Sequence, residues 1–374
     1  MKTTLTLMLC LSAHWCFAQP LKFFASNRYI LGTYKERTAS LDVGDLDGDG
    51  DLDVVVANGR HWPGQNRIFF NNGLGIFTVS RPLGMEEETS YSTELADLDG
   101  DGDLDIAVGN DMAPNRIFFN DGKGHFSDGG TFGKDYAPTR NIVLADLDRD
   151  GDVDILITNR GSENEICLND GKGNFTQSLA FGTKEDSTID VEVADMDGDG
   201  DLDLVLANRD DQPNFVYLQT APLQFDKAVP YGTGKENSRT VAVSDIDRDG
   251  FPDIVVANIG EPNRIYFGDQ NLSFSRSLVY DESNDESYSI SVEDLNNDGF
   301  PDIAQGNAGA PNAVFVNPGK DGTAWTRIPL NDQAFLTYDI AIADINGDGK
   351  PDIIESNSDE ENVYYFNSFR LRQP

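Results

Sequence analysis

The chain has 374 residues, and its 28 Lys and Arg against 65 Asp and Glu leave a formal charge of −37. That balance excludes nucleic-acid backbones and anionic membrane surfaces, which need a basic footprint, and favours cations as partners. Three His and three Cys exclude a multi-His zinc centre and a disulfide scaffold, while 39 % hydrophobic and 10 % aromatic residues are too many for a disordered acidic chain.

The first segment, MKTTLTLMLCLSAHWCFAQP, has a basic Lys2, a mostly apolar run over residues 5–11 and a small-x-small step at Cys16-Phe17-Ala18. It reads as a signal peptide cleaved near Ala18. The apolar run is much shorter than the ~20 residues of a membrane span, and the bulky Trp15 before Cys16 fits a lipid anchor poorly. The expected division is residues 1–18 as signal and 19–374 as one mature unit without a membrane span, secreted, periplasmic or at the cell surface. Cys10 and Cys16 leave with the signal. Cys167, in EICLND, reads as a buried small hydrophobe.

One acidic nonapeptide then recurs: DLDGDGDLD from Asp45 and again from Asp97, DLDRDGDVD from Asp146, DMDGDGDLD from Asp195, DIDRDGFPD from Asp245, DLNNDGFPD from Asp294 and DINGDGKPD from Asp344. The steps are 52, 49, 49, 50, 49 and 50 residues, so seven units fill the mature chain. Each unit reads alike. A short apolar-rich segment precedes the acidic loop. A continuous apolar run such as VVVAN or ILITN follows, as expected of a strand buried on both faces. A polar loop leads to a third strand such as NRIFFN, and a glycine turn to a fourth, more alternating one such as NFTQSLAFG. Four strands repeated seven times without helical periodicity predict an all-β, seven-bladed propeller. The last unit stops after its third strand, and the segment over residues 23–32 looks like the missing fourth. It is expected to complete the blade begun near Thr337 and close the ring, leaving no free sheet edge. A linear solenoid is the rival and has no use for such an orphan strand.

Positions 1, 3, 5 and 9 of each loop carry hard oxygen ligands around a glycine turn, a set suited to Ca²⁺. They are Asp45, Asp47, Asp49 and Asp53; Asp97, Asp99, Asp101 and Asp105; Asp146, Asp148, Asp150 and Asp154; and Asp195, Asp197, Asp199 and Asp203. The later loops supply Asp245, Asp247, Asp249 and Asp253; Asp294, Asn296, Asp298 and Asp302; and Asp344, Asn346, Asp348 and Asp352. Position 7 varies, so its carbonyl rather than its side chain can ligate. An EF-hand is excluded, because it needs Glu at position 12 and flanking helices, and Val56 stands at position 12 of the first loop. Solvated Asx turns are the competing account, made improbable by seven regular copies. Up to seven structural Ca²⁺ ions are expected, the last two loops binding more weakly. Mg²⁺ fits less well because it keeps its waters.

These loops, with the Phe-Gly or Tyr-Gly steps at Phe132-Gly133, Phe181-Gly182 and Tyr231-Gly232, resemble the FG-GAP/VCBS repeat family, which shares its blade with the integrin α-subunit propeller. The resemblance covers all seven units. It implies calcium loops on one face, between first and second strands, and partner binding on the other, with adhesion, glycan or protein recognition, or an enzyme on the same ring.

On that opposite face a hydroxyl always stands seven residues before the loop, and the next residue is Ala39, Tyr91, Arg140, Ile189, Arg239, Tyr288 or Tyr338. Arg and Tyr around a channel mouth suit an anionic or sugar ligand. The first unit's second-to-third loop is longer than the others and carries Arg60, His61 and Trp62. A monomeric, calcium-stabilised binder of a glycan or protein, with no nucleic-acid partner, is the favoured expectation. A polysaccharide lyase or glycoside hydrolase is the alternative. A lyase would use His61 or Tyr91 as base and Arg140 to neutralise charge. A scaffold within a larger assembly is the third reading.

Overall fold

The computed structural model describes residues 21–26, 28–320 and 324–368, so the expected signal peptide lies outside the described residues. Among them are seven four-stranded antiparallel sheets and no helix. The sheets stand around one axis, each innermost strand against the next. Thr38–Gly44 of blade 1 also meets Thr337–Ala343 of blade 7, which closes a seven-bladed propeller.

Closure follows the expected route. Phe23 and Phe24 pair with Asn367 and Phe366, as the outermost strand of the blade that begins at Thr337. The strand is only two residues long, because the chain leaves the edge after Phe24 and returns at an Ile30–Val363 bridge.

The apolar runs become the second strands, from Asp53–Asn58 to Asp352–Asn357, and all seven are buried throughout. Each is pressed between two blades, so the core is divided into inter-blade clusters. The cluster at the closure joins Leu41, Val54 and Phe69 of blade 1 to Ile354 and Tyr364 of blade 7. Cys167 is buried within the cluster between blades 2 and 3, and burial pushes its thiol up to about 12.

Polar residues at the ends of the third strands, Asn at most positions, join the blades, with Gln219 taking the trailing place in the fourth blade and Gly268 leaving it empty in the fifth. In six blades the leading Asn donates to the hydroxyl that opens the next blade, while Asn115 of the second donates to the Phe132 carbonyl. Asn66 reaches Ser90 at 2.9 Å, Asn263 reaches Ser287 at 2.8 Å, and Asn362 reaches Thr38 across the closure at 3.1 Å. The trailing Asn reaches back to the acidic loop of the preceding blade, as Asn120 to the Leu46 carbonyl and Asn71 to that of Ile345. The hydroxyl in front of each acidic loop is therefore buried and committed to holding the ring.

One irregularity shapes the face opposite the acidic loops. In every innermost strand the pairing register slips after that hydroxyl: Thr139 pairs with Asn159, but the next paired residue is Asn141. The skipped residues are Ala39, Tyr91, Arg140, Ile189, Arg239, Tyr288 and Tyr338. Each is the extra residue of a β-bulge, a device that re-aims a side chain out of the regular alternation.

Candidate functional site

The acidic loops form one rim of the ring, each between a first and a second strand. Position 1 accepts backbone N–H groups of its own loop: Asp45 accepts from Gly48 at 2.8 Å and Gly50 at 3.0 Å. Position 9 ties the loop to the blade, Asp53 accepting from Leu46 at 3.1 Å and Asn71 at 2.8 Å. The pattern repeats around the ring, as at Asp105 and Asp154. Burial, against those N–H bonds, pushes Asp53, Asp105, Asp154 and Asp203 up to about 6, and Asp253, Asp302 and Asp352 up to about 7.

Carboxylate oxygens from three residues lie within 4.8 Å of one another in five loops. The groups are Asp97, Asp99 and Asp101, Asp146, Asp148 and Asp150, and Asp195, Asp197 and Asp199 at positions 1, 3 and 5. In the first and fifth loops they are instead Asp45, Asp47 and Asp53, and Asp245, Asp247 and Asp253. Position 9 thus joins the cage in two loops and serves in the others as a backbone anchor. Asn296 and Asn346 stand at position 3 of the last two loops, so their cages carry one charge fewer. The donor set fits a hard cation. Asp47 Oδ1, Asp146 Oδ1, Asp247 Oδ1 and Asn296 Oδ1 are buried oxygens without a hydrogen-bond partner, a costly state that a metal ion would relieve. The fifth loop is modified by Arg276, whose guanidinium bonds Asp247 and lies 3.8 Å from Asp249.

At the opposite end of the axis the bulged residues converge. Arg140 stacks over Tyr91 with its guanidinium carbon 4.7 Å from the ring centroid, and Arg239 lies 5.3 Å from Tyr288. Tyr288 and Tyr338 meet edge to face at 4.8 Å. Arg60 reaches across from the long blade-1 loop to lie 3.6 Å from the Tyr338 ring centre. His61 Nδ1 is 2.7 Å from the Tyr91 hydroxyl. Burial, then the charges of Arg60 and Arg140, lowers the imidazole below its ordinary value, so it is neutral at pH 7. Beneath this mouth is a cavity of about 120 Å³.

Trp62 does not join the mouth. It points to the rim, 64 % exposed, with Arg37 5.9 Å from its ring. Ala39 and Ile189, the small and aliphatic members of the bulge series, are buried.

Sequence reading missed a belt of acids on the axis. Glu94 is an electrostatic neighbour of Asp42, Asp339, Glu192 and Asp190, and burial raises Asp42 to about 7, Glu192 to about 8 and Glu94 well above the carboxylate range. Several are inter-blade staples: Asp42 accepts from Leu95 N, Asp190 from Val241 N and Asp339 from Leu41 N. The signal was the two-residue alternation within the first strands, Asp190 then Glu192, overshadowed by the acidic loops that follow.

A family model described as an FG-GAP-like repeat matches six overlapping stretches, residues 45–108, 97–157, 146–206, 195–256, 245–305 and 294–355. No curated protein matches the sequence. Solved structures with this architecture include BBS1N in complex with ARL6DN, soaked with mercury, at 10 % identity over 94 % of this chain and 98 % of that one, TM-score 0.59. The same complex soaked with lead gives 12 % identity over 95 % and 97 %, TM-score 0.59. Raptor of Chaetomium thermophilum gives 14 % over 96 % of this chain and 30 % of its own, TM-score 0.60. At such identities the likeness concerns the fold alone. The repeat match, spanning most of the chain, together with seven blades each carrying its acidic loop, makes this protein a member of the FG-GAP-like repeat family.

Proposed function

We propose that this protein is an exported, calcium-stabilised propeller that binds an anionic glycan or protein ligand at the axial mouth opposite the acidic loops. What carries the reading is a cluster of guanidinium groups. In a chain of net charge −37, Arg60, Arg140 and Arg239 gather around one opening, above a floor where Glu94, Asp190 and Asp339 line the cavity. Arg140 is paired with Asp111 at 2.7 Å, while Arg60 and Arg239 have no carboxylate within ion-pair distance among the described residues. Guanidinium groups braced on Tyr rings are preorganised to receive carboxylate or sulfate oxygens. The acidic loops would hold Ca²⁺ through positions 1, 3 and 5, joined by position 9 in the first and fifth, and the ion would supply cross-linking of the hairpin rather than chemistry. A propeller of this fold engages ARL6DN as a protein partner, which supports a binding role.

Arrays of acidic and neutral glycans, followed by calorimetry at two salt concentrations, test the reading. Binding selective for acidic probes, weakened by salt and lost in Arg239→Gln at unchanged melting temperature, is expected. Equal binding of neutral and acidic probes would refute it.

One observation favours catalysis as a second reading: the neutral His61 bonded to Tyr91, beside Arg140. In a lyase, Arg140 would neutralise a uronate carboxylate and His61 would take the C5 proton. The C4–O bond would then break to leave a C4–C5 double bond, the leaving oxygen taking a proton from Tyr91. New ultraviolet absorbance from unsaturated sugar, abolished in Arg140→Ala, would establish it; binding without turnover would dismiss it.

A further inference from the structure

The blade-1 loop does more than decorate the mouth. Gly59 has φ +116°, and a Cβ there would sit 1.9 Å from the Glu88 carbonyl oxygen, so only glycine fits. His61 has φ +66°, a left-handed backbone that non-glycine residues adopt at a cost of about 1–2 kcal/mol. The turn is fastened by Gly59 N to Arg37 O at 3.0 Å, Trp62 N to Gly59 O at 3.1 Å and Gly64 N to Glu88 O at 2.9 Å. This fixed turn sends two nearby side chains in different directions. Arg60 goes inward onto Tyr338, and Trp62 goes outward over a rim groove of about 410 Å³. Their Cα atoms are two residues apart, hence no more than about 7 Å.

The chemistry of the groove discriminates between classes of ligand. Its lining is Lys35, Glu36, Arg37, Trp62, Pro63 and Asp359, with glycines. One flat aromatic face stands among charged groups, and Arg37 Nε is held at 3.1 Å by Asp359. A peptide anchor needs a desolvated pocket with apolar walls, which this groove lacks. A pyranose ring has the matching surface, an apolar C–H face to lie on the indole and hydroxyl edges to meet Arg37 and Asp359. A held-out, 64 % exposed Trp stands within one short loop of the Arg-bearing mouth, where a ligand long enough to reach both would meet it.

We propose that the blade-1 loop builds a two-part site for an extended acidic oligosaccharide, one sugar carboxylate meeting Arg60 and Arg239 over the axis and another ring of the same chain stacking on Trp62 at the rim. This rests on the anion-binding reading of the mouth and adds to it both ligand class and length.

The test uses galacturonic acid, hexagalacturonate, neutral cellohexaose and hexaglutamate as probes, with calorimetry and tryptophan fluorescence. The wild-type minus Trp62→Phe difference spectrum isolates the Trp62 signal. Hexagalacturonate is expected to bind at least about tenfold more tightly than the monomer and to shift Trp62 emission. Trp62→Ala should remove that tenfold gain yet leave monomer binding within about twofold, while Arg239→Gln should weaken both. Equal binding of monomer and hexamer with silent Trp62 would overturn the two-part site and leave the axial anion site standing. Hexaglutamate binding as tightly as hexagalacturonate, with the same Trp62 dependence, would overturn the sugar assignment. Loss of binding by every acidic probe would overturn both readings. An unchanged melting temperature in Trp62→Phe certifies that its effects are local.

Discussion

Removing divalent cations is the perturbation that reaches most of the molecule. Five loops bring three carboxylates within 4.8 Å, and these are the cages from which the proposed metal binding would draw its stability. With calcium tenfold above the dissociation constant of an extracellular-type module, each cage contributes RT ln 11, about 1.4 kcal/mol, and five independent cages about 7 kcal/mol. Unfolding entropy near 2.1 cal/mol/K per residue over roughly 350 propeller residues is about 740 cal/mol/K, so 7 kcal/mol corresponds to a shift of about 10 °C. Scanning calorimetry in about 5 mM calcium and in excess chelator measures it directly. Asp99→Ala, which dismantles the second cage alone, should recover about four-fifths of the calcium-dependent shift. A chelator effect under about 2 °C, with no heat on calcium titration, would refute the reasoning from cage geometry to stability.

The remaining predictions concern single groups. Arg276→Ala frees Asp247 and Asp249 of their guanidinium and should strengthen calcium at the fifth loop severalfold, read as an added tight site by calorimetry or terbium luminescence; an unchanged isotherm would show that Arg276 does not compete. Glu192, raised to about 8 by burial and the charge of Asp190, binds its proton more tightly folded than unfolded. Its contribution is therefore complete below about pH 4.5 and is lost as pH rises toward 8, up to about 3 kcal/mol by pH 7. With calcium saturating, melting temperature should fall from pH 5 to 8, and Glu192→Gln should flatten that slope; parallel slopes would refute it. Gly59→Ala forces a Cβ into the Glu88 carbonyl and should cost about 2–4 kcal/mol in melts while displacing the Arg60 and Trp62 loop. Asn362→Ala removes the donor to Thr38 and the acceptor for Asn357 N at the closure, and should cost about 1–3 kcal/mol.

The blades and their closing strand were legible because a propeller repeats one physical problem seven times. VVVAN, ILITN and their counterparts are apolar on both faces for one reason: each lies between two blades. The bulged series was legible as a column of Arg and Tyr because its offset from the acidic loop is constant. The destination of Trp62 was not legible. Adjacency in sequence placed it with Arg60, and only the left-handed turn at His61 separates them. The axial acids escaped notice because Asp190 and Glu192 look like more of the same charge until the strand's alternation places them inward. The double duty of position 9 was likewise hidden. Asp105 has the composition of a metal ligand, yet both its oxygens accept backbone N–H groups, from Leu98 and Asn120.

That double duty explains why this fold can keep one rim constant and leave the other free. On the acidic rim position 9 anchors its own loop to the third strand, and the trailing residue of that strand joins the loop of the neighbouring blade in six blades, Gly268 leaving the fifth without that joint. Asp105 fixes Asn120 through its backbone, and the Asn120 side chain fixes the Leu46 carbonyl inside the neighbouring loop. Substitution there loosens two blades at a time. On the opposite rim the joints are made by the buried hydroxyls and the leading Asn residues, so the next residue is excused. A bulged residue has no partner in the ladder, and its side chain leaves the inter-blade core. Ala39, Ile189, three tyrosines and two arginines occupy equivalent sites at no cost to the ring. Side-chain chemistry can thus vary at the one register position that the strand ladder leaves unpaired. Exchanging Tyr288 for Phe should accordingly cost less than about 1 kcal/mol in melts, whereas exchanging its neighbour Ser287 for Ala should cost more by removing buried bonds to Asn307 and Asn263.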